Sequence, residues 1–387
     1  MTYLGFATDV LALLVIAGGI YNLFAIFCVA GFFAMKHSRP DEISYPPVSI
    51  LKPVKGLDPG FRENIDSFCR QDYPEYEVLI GFVGEDDEAL AAARVIADAY
   101  PGKVRVVIRG ERIGINEKVS NLKGLIGAAS YPLVAVSDSD MKVDELYLRT
   151  IVEEYLSEEN VGLVTSPYKI SDPATVGSAL ESLAIALDFI PSVLVARRLE
   201  GITFGLGASM LLSKDTIEDI GGMEAIADYL ADDYRIGNRI WQKGHKVLLS
   251  GYVMEDVVEK MGMKQFLLHQ GRWARTYRAS RPKGFFGYGV THALFFACLL
   301  LAVQGVTTYS LLLFSAVLAL RLFLAFVVYR KVILRKDWLK WLPLLPVKDL
   351  LAFGIWAWSF AGRKVFWRGA YYLVEKGGRI KPLHGRR

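Results

Sequence analysis

Residues 133–140 read Leu-Val-Ala-Val-Ser-Asp-Ser-Asp, an apolar run followed by carboxylates at two alternate positions, Asp138 and Asp140. The apolar run predicts a buried strand over Leu133–Ser137. Alternate side chains at a strand end can point towards one place, and paired carboxylates suit Mg²⁺ or Mn²⁺ bridging a nucleotide diphosphate. A D-x-D is common by chance, and its position directly after a strand makes it more specific.

The sequence around this stretch has the pattern of an α/β domain. Between residues 45 and 283, short β-branched runs alternate with helix-length amphipathic stretches, which predicts a mostly parallel sheet. The predicted strands are Val48–Leu51, Val78–Val83, Val104–Ile108, Leu133–Ser137 and Gly162–Thr165, and the clearest helices are Asp87–Ala99 and Asp144–Tyr155. Ligands of open α/β sheets bind beyond the carboxyl ends of the strands, so polar residues there are site candidates.

Two further acidic clusters occupy such positions. Residues 85–88 read Glu-Asp-Asp-Glu and follow the strand that ends at Val83. They can hold a ribose or a base edge, and equally they can cap the next helix. Asp232 and Asp233 lie within or at the start of a helix, where adjacent side chains point about 100° apart. One of them can therefore face a cleft while the other is solvated or structural.

Residues 269–273 form a fourth cluster, His-Gln-Gly-Arg-Trp, followed by arginines at positions 275, 278 and 281. A basic, aromatic helix ahead of an apolar segment fits a surface helix at lipid headgroups, where cations also meet phosphates. A purely structural interfacial helix explains the arginines equally well, but not the pair Arg272 and Trp273.

The composition of the 387 residues argues against an ordinary soluble protein, because 52% are hydrophobic and the mean hydropathy is +0.29. With 22% charged residues on this apolar background, a disordered chain is excluded. The formal net charge is +4; residues 362–387 carry +7, which leaves −3 on the other 361 residues. The basicity therefore indicates anionic lipid headgroups and not nucleic acid. Three cysteines and five histidines without metal-ligand spacing argue against a disulfide framework and a zinc site.

Long charge-free runs predict three membrane crossings. Residues 10–35 contain no Asp, Glu, Lys or Arg and are long enough to span a core of ~30 Å. We interpret residues 1–36 as a retained N-terminal anchor and not as a cleaved signal peptide, because no basic residue precedes the run. The charge-free run 284–320 is too long for one span and predicts a helical hairpin over residues 284–330, joined near Gln304.

The remaining C-terminal region is predicted not to cross the membrane. Residues 341–361 are apolar but contain two prolines and the pair Lys348 and Asp349, which predicts a re-entrant or interfacial segment. Residues 362–387 are expected to form a basic tail. Lys and Arg residues beside these segments predict a multi-pass protein of the inner (cytoplasmic) membrane, with the 45–283 domain and C-terminus cytoplasmic and the N-terminus outside. Arg321 is an intramembrane cation that either lines a lipid or diphosphate path or is a structural residue, snorkelled or paired internally.

In this order, the acidic pair, D-S-D, D-D-Y and the R-W before a membrane hairpin resemble the lipid-directed and processive GT-A glycosyltransferases of family 2 and its relatives. Residues 114–122, Gly-Ile-Asn-Glu-Lys-Val-Ser-Asn-Leu, and 207–210, Gly-Ala-Ser-Met, resemble segments of ceramide glucosyltransferases. Residues 347–351 and 363–369 resemble bacterial ceramide glucosyltransferases and the hopanoid-biosynthesis glycosyltransferases.

The resemblance implies an α/β GT-A domain that transfers a sugar from a UDP-sugar to a membrane lipid by one inverting displacement. It implies a donor site formed by Asp86, Asp87, Lys118, Asn121 and Asp138. It further implies that Asp138 and Asp140 hold Mg²⁺ or Mn²⁺, which acts as a Lewis acid on the leaving diphosphate.

On the acceptor side, the resemblance implies that Asp233 is the general base for the lipid hydroxyl. Arg272 and Trp273, with His269 and Gln270 beside them, are implied to close the site over the diphosphate and the acceptor. The family usually has Gln or Arg at the position of His269, so this contact is expected to be pH-sensitive. Leu206 stands where a Thr is frequent, which removes a hydroxyl.

Three functions compete at this point. The leading hypothesis is transfer of glucose to ceramide or a ceramide-like lipid, and transfer of a sugar to a hopanoid polyol is a near rival. A processive polysaccharide synthase shares the clusters, but it needs a channel, for which three crossings are few. A non-catalytic scaffold is disfavoured because every carboxylate motif is complete. The expected partners are the UDP-sugar, a lipid acceptor and the bilayer, and no nucleic acid.

Overall fold

The computed structural model describes residues 3–35, 43–108, 111–258 and 260–383. In chain order, its strands are β1 Val48–Pro53, β2 Tyr76–Phe82, β3 Val104–Ile108, β4 Leu133–Val136, β5 Met141–Lys142, β6 Val161–Thr165, β7 Tyr168–Lys169, β8 Met210–Ser213, β9 Lys246–Leu249, β10 Met254–Asp256, β11 Lys364–Trp367, β12 Ala370–Val374 and β13 Ile380–Pro382.

The α-helices are α1 Tyr3–Phe32, α2 Phe61–Cys69, α3 Leu90–Ala99, α4 Glu117–Ala128, α5 Tyr147–Tyr155, α6 Val176–Ala184, α7 Ile190–Glu200, α8 Lys214–Asp219, α9 Asp232–Gln242, α10 Met263–Ser280, α11 Pro282–Tyr288, α12 Ala293–Gln304, α13 Thr308–Val328 and α14 Leu345–Ser359. Shorter helical turns are Ile185–Phe189, Met223–Ile226, Gly289–Thr291, Tyr329–Ile333 and Lys336–Leu344.

A seven-stranded sheet in the order β3-β2-β1-β4-β8-β6-β9 is formed by strands between residues 48 and 249. All neighbouring pairs are parallel except the two that involve β8, so the prediction of a mostly parallel α/β sheet is confirmed. Strands β1, β2 and β4 are buried along their whole length, which explains why each reads as a nearly continuous apolar run. Strands β8 and β9 were not predicted.

Strand β5, which directly follows the D-S-D stretch in the chain, belongs to a second, three-stranded sheet in the order β5-β10-β7. In its antiparallel pair, Met141 of β5 is opposite Asp256 of β10. This register brings a carboxylate from far along the chain next to Asp140, the residue that precedes β5.

Three helices are long and apolar enough to cross a membrane by length and composition, namely Gly5–Phe32, Val176–Glu200 and Thr308–Ile333. A fourth candidate is the pair 282–291 and 293–304, which is bent by 52°. Of the apolar stretch in Val176–Glu200, 78% is buried inside the protein, against 39% and 28% in the other two. Its helix, which the sequence analysis missed, therefore contacts mainly protein. Lys36 and Arg39, two of the basic residues beside the N-terminal anchor on which the predicted sidedness depends, lie outside the described residues.

Buried charges connect these apolar helices. Arg321 of α13 donates to both carboxylate oxygens of Asp349 in α14, at 2.8 and 2.6 Å, and to Asp188 at 3.0 Å. Lys348 also donates to both oxygens of Asp188 at 2.7 Å. Of the two readings of Arg321, the structure therefore shows the internally paired one, and two cations and two carboxylates balance each other.

The C-terminal residues form a third sheet, β11-β12-β13, where the sequence analysis expected only a basic tail. Its buried residues Val365, Val374 and Ile380 pack with Leu230 in a small core of their own. Arg368 and Gly369, between β11 and β12, have φ of 48° and 79°. Positive φ at both positions is what the common two-residue hairpin turn requires.

Candidate active site

The end of β4 places Asp138 next to an ammonium group. Lys118 Nζ lies 2.5 Å from Asp138 Oδ1 and 3.7 Å from Asp232 Oδ2. Lys118 is buried, and burial by itself lowers the pKa of an ammonium, but Asp138 and Asp232 outweigh this effect and the pKa of Lys118 is raised. The structure thus brings together Lys118, Asp138 and the acidic pair of α9, which the sequence analysis had considered as separate motifs.

Asn116, two residues before Lys118, connects the start of α4 to the loop ahead of α9. Its side-chain oxygen caps α4 by accepting from the backbone N–H groups of Lys118, at 3.0 Å, and Val119, at 3.4 Å. Its amide nitrogen donates to the Tyr229 carbonyl at 2.8 Å and to Asp232 Oδ1 at 3.3 Å. One buried side chain therefore fixes both the start of α4 and the loop that leads into α9.

Asp233 is held by two backbone donors. The N–H of Gly207 donates to its Oδ2 at 2.8 Å, and the N–H of Tyr234 donates to its Oδ1 at 2.7 Å. Burial raises the pKa of Asp233 to about 6, and the neighbouring Asp232 adds to the effect. A carboxylate with this pKa is ionised at neutral pH and is a stronger base than an ordinary Asp.

A cavity of about 260 Å³ lies beside these groups at the carboxyl ends of β1 and β2. Its lining includes four of the residues predicted to contact the donor, namely Asp86, Asp87, Lys118 and Asn121. Asp87 also accepts from the backbone N–H groups of Ala89 and Gly56, both at 2.9 Å, and so holds the turn ahead of α3, whose N-cap is Ala89 and has no side-chain cap. The side-chain nitrogen of Asn121 donates to the Gly81 carbonyl at 2.8 Å, which orients it as part of the wall.

Two buried carboxylate oxygens near the D-S-D stretch have no hydrogen-bond partner among the described residues, Asp140 Oδ1 and Asp256 Oδ1. Burial, together with Asp138, raises the pKa of Asp140 to about 7. Burial and Asp140 raise the pKa of Asp256 far above its usual range. Sequence reasoning missed Asp256, although the acidic pair Glu255 and Asp256 was a signal that could have been examined.

Lys52, at the end of β1, was also missed because its neighbours in sequence are apolar. Its side chain is completely buried, donates to the Asp138 carbonyl at 2.5 Å and to Ser137 Oγ at 3.1 Å, and lies 3.6 Å from the centre of the Phe68 ring. Burial lowers the pKa of Lys52 to about 7. Lys52 thus fixes the backbone at Asp138 from inside the sheet.

The residues at the D-S-D stretch fit a divalent cation. Across the described part of the chain, no group of three His, Cys, Asp or Glu side chains forms a complete metal site. Yet the buried, unpartnered oxygen of Asp140 is the type of donor that Mg²⁺ and Mn²⁺ prefer. A site of one or two carboxylates completed by substrate phosphates and water is usual for Mg²⁺.

The fourth cluster lies on α10, against the helix Val176–Glu200. The completely buried Glu181 accepts from Gln270 at 2.9 Å, and His269 Nδ1 lies 2.9 Å from the same carboxylate oxygen. Trp273 packs against Phe189, with ring centres 5.6 Å apart. Burial lowers the pKa of Arg272. His269 and Gln270 are thereby joined to the apolar helix Val176–Glu200.

Comparison with known proteins identifies the family. The family described as "Glycosyl transferase family 21" matches residues 10–380. Ceramide glucosyltransferase 1 of Caenorhabditis elegans is 27% identical over 288 residues, which cover 73% of this chain and 62% of that protein. Ceramide glucosyltransferase 3 of the same organism is 28% identical over 280 residues, covering 71% and 61%. The chain therefore spans about three fifths of the length of these relatives.

The fold is also found in a solved structure. The mannosyltransferase PcManGT from Pyrobaculum calidifontis, solved in complex with GDP-Man and Mn²⁺, is similar with a TM-score of 0.57 at 18% identity, over 92% of this chain and 98% of that one. With the sheet order and the family match over nearly the whole chain, the fold and the family agree. The chain is a GT-A protein that belongs to glycosyl transferase family 21.

Proposed function

We propose that this chain transfers glucose from a UDP-sugar to the hydroxyl group of a membrane lipid, with ceramide or a ceramide-like lipid as the acceptor. The observation that carries the proposal is the position of the cavity lined by Asp86, Asp87 and Lys118. It adjoins the carboxylates of Asp138 and Asp233, in a protein with several helices apolar enough for a membrane. The names of the relatives, ceramide glucosyltransferases, support the choice of sugar and lipid.

On the donor side, Asp86 and Asp87 contact the nucleoside, and Asp138 and Asp140 would hold Mg²⁺ or Mn²⁺. When bound, the divalent ion supplies Lewis-acid neutralisation of the charge that develops on the leaving diphosphate. The ammonium of Lys118 lies beside Asp138 and adds a second positive charge at the same place. Asn121 keeps the ends of β1 and β2 in position by donating to Gly81 and Val54.

On the acceptor side, Asp233 takes the proton of the lipid hydroxyl. The lipid oxygen forms a bond to the anomeric carbon while the bond from that carbon to the diphosphate oxygen breaks, and the electron pair leaves with the diphosphate. One such displacement inverts the anomeric configuration. The N–H groups of Gly207 and Tyr234 fix the orientation of the Asp233 carboxylate throughout.

The acceptor reaches this point from the membrane side, along α10. Trp273 contacts Phe189 of the helix Val176–Glu200, and Arg272 lies next to it in sequence. We therefore assign Arg272, Trp273, His269 and Gln270 to closure over the diphosphate and the lipid headgroup. In this proposal the catalytic domain is cytoplasmic and the protein is multi-pass.

The test is to incubate the purified full chain in lipid nanodiscs with several UDP-sugars and a panel of ceramide, diacylglycerol and hopanoid polyol acceptors. Mass spectrometry of the products identifies the sugar by the mass increment and the acceptor by the parent ion. We expect a monoglycosylated ceramide. A glycosylated hopanoid or recovered polysaccharide would replace this proposal, and full activity in D233A would contradict the assigned base.

A further inference from the structure

The tip of the C-terminal hairpin reaches the donor cavity. Arg368, in the turn between β11 and β12, is part of the cavity lining together with Lys55, Asp87 and Lys118. No other residue of the C-terminal sheet contributes to this lining among the described residues. A side chain more than 200 positions beyond the other lining residues therefore closes one wall of the cavity.

The hairpin is firmly held in this position. The backbone of residues 377–380 pairs with the loop ahead of α9, because Leu230 N–H donates to Gly378 at 3.2 Å and Ile380 N–H donates to Asp228 at 2.8 Å. Arg278 of α10 donates to the Gly362 carbonyl at 2.6 Å. Together with the small core around Leu230, these contacts fix the sheet to the two elements that carry Asp233 and Arg272.

The cations of the cavity differ in how they are neutralised. Lys55 and Arg112 both form ion pairs with Glu117, and Lys118 forms one with Asp138. Arg368 has no ion pair and no side-chain hydrogen bond within the described part of the chain; its guanidinium lies 5.3 Å from the centre of the Trp367 ring. The cavity wall thus holds one guanidinium group whose five N–H donors are available to a ligand.

The electrostatics of the neighbouring residues agree with this count. Lys55 has a lowered pKa because of partial burial, and Arg368 and Arg112 add to the effect. Arg368 also acts on the carboxylate of Asp58, beside the D-S-D stretch, and on the guanidinium of Arg272. The charge of Arg368 therefore acts both on the cavity lining, at Lys55, and on Asp58 and Arg272.

We propose that Arg368 binds the diphosphate group of the nucleotide-sugar donor. The planar guanidinium can donate two parallel hydrogen bonds to phosphate oxygens, a geometry that a lysine in the same place does not provide. The C-terminal sheet is then a part of the donor site. This inference rests on the proposed function, because it takes a nucleotide diphosphate as the occupant of the cavity.

The test compares UDP and uridine as ligands of the purified full chain, measured by calorimetry with Mn²⁺ present. The variant R368N removes the guanidinium but keeps the turn, because Asn tolerates positive φ better than Arg does. K364A is the matched control, since it removes one positive charge from the same hairpin at a side chain that lies over Tyr371. R368K measures how much a point charge restores.

We expect R368N to raise the Kd for UDP roughly tenfold or more, as for the loss of a charged hydrogen bond. In R368N, the affinity for uridine and the thermal midpoint should stay at the wild-type values. K364A should bind UDP as the wild type does, and the Kd of R368K for UDP should fall between those of the wild type and R368N. Equal UDP binding by R368N and the wild type overturns the inference and leaves the proposed function standing. A wild-type chain that binds neither UDP nor any other nucleoside diphosphate overturns both. If R368N unfolds early, unchanged UDP binding by R368K and R368Q overturns the inference instead.

Discussion

The backbone N–H of Gly207 donates to Asp233 Oδ2 over 2.8 Å, and this links the Gly-Ala-Ser-Met segment of residues 207–210 to the proposed base. A Cβ atom at position 207 would lie 3.2 Å from Asp233 Oδ2 and 3.2 Å from Asp138 Oδ2. Gly207 therefore lies between the carboxylate of the proposed base and that of Asp138 in the D-S-D stretch. The absence of a side chain there leaves room for the reacting atoms.

We expect G207A to lower kcat roughly ten- to a hundredfold while the chain stays folded, because the methyl group displaces two carboxylates by a few tenths of an ångström. The backbone N–H that donates to Asp233 is retained in this variant. The change in kcat therefore reports the loss of space and not the loss of a hydrogen bond. Steady-state kinetics with the lipid acceptor measures it. G127A is the control, since a Cβ at Gly127 in α4 meets nothing within 4 Å. Equal activity of both variants would contradict the role of Gly207.

Replacing the proposed base should lower kcat by about 10² to 10⁴ in D233N, with donor binding retained. In the wild type, Asp233 must be ionised to accept the proton, and its pKa is raised to about 6. The kcat/KM value should therefore be level above pH 7 and fall as the pH drops through about 6. A profile without this acid limb would argue against Asp233.

Asp232 provides an internal check on that assignment. Its negative charge is one cause of the raised pKa of Asp233, so D232N should move the acid limb of kcat/KM to lower pH. The measurement is the same pH profile in both proteins. An acid limb that stays in place would mean that another group titrates.

Chelation should abolish tight binding of UDP, and Mg²⁺ or Mn²⁺ should restore it. D140N should bind UDP weakly with or without the metal, because an Asn side chain does not provide the carboxylate whose unpartnered oxygen is proposed to bind the ion. Calorimetry of UDP with EDTA and with each ion makes this comparison. D72N is the control, as Asp72 is an exposed acid in a surface ion pair with Arg149. An affinity for UDP that is unchanged by EDTA would contradict a role of the metal in donor binding.

The buried pair of Arg321 and Asp349 is predicted to be important for stability. R321M leaves two carboxylates facing one ammonium, and breaking a buried pair in this way costs about 3–5 kcal/mol. The double variant R321M/D349L should recover part of this loss. Thermal unfolding in detergent measures both. R335M, which removes an exposed pair with Asp172, should change stability by less than about 1 kcal/mol.

Five of the seven strands of the central sheet were predicted, and the clearest are β1, β2 and β4, which are buried along their whole length and read as apolar runs ending in polar residues. Position relative to these strands also made Asp138, Asp86 and Asp87 site candidates. The order of the strands, with antiparallel β8 between β4 and β6, depends on contacts that no local pattern reports.

The features that sequence reasoning missed all depend on distant pairing. Asp256 becomes notable only because β10 pairs with β5, and Lys52 only because β1 places its side chain under Asp138. Strands β11 to β13 are short and largely exposed, so they lack the alternation that predicts a strand. Basic residues in that segment were read as a tail, which concealed Arg368.

The order of synthesis gives the C-terminal hairpin a further consequence. Of the residues that line the donor cavity, Arg368 is translated last, after α12 and α13. At about 5–20 residues per second, it follows Lys118 by roughly 10–50 seconds. A nascent chain thus has its apolar helices available for insertion before its donor cavity is complete. If Arg368 binds the diphosphate as proposed, we expect full affinity for the nucleotide to arise only after the apolar helices α12 and α13 have been synthesised.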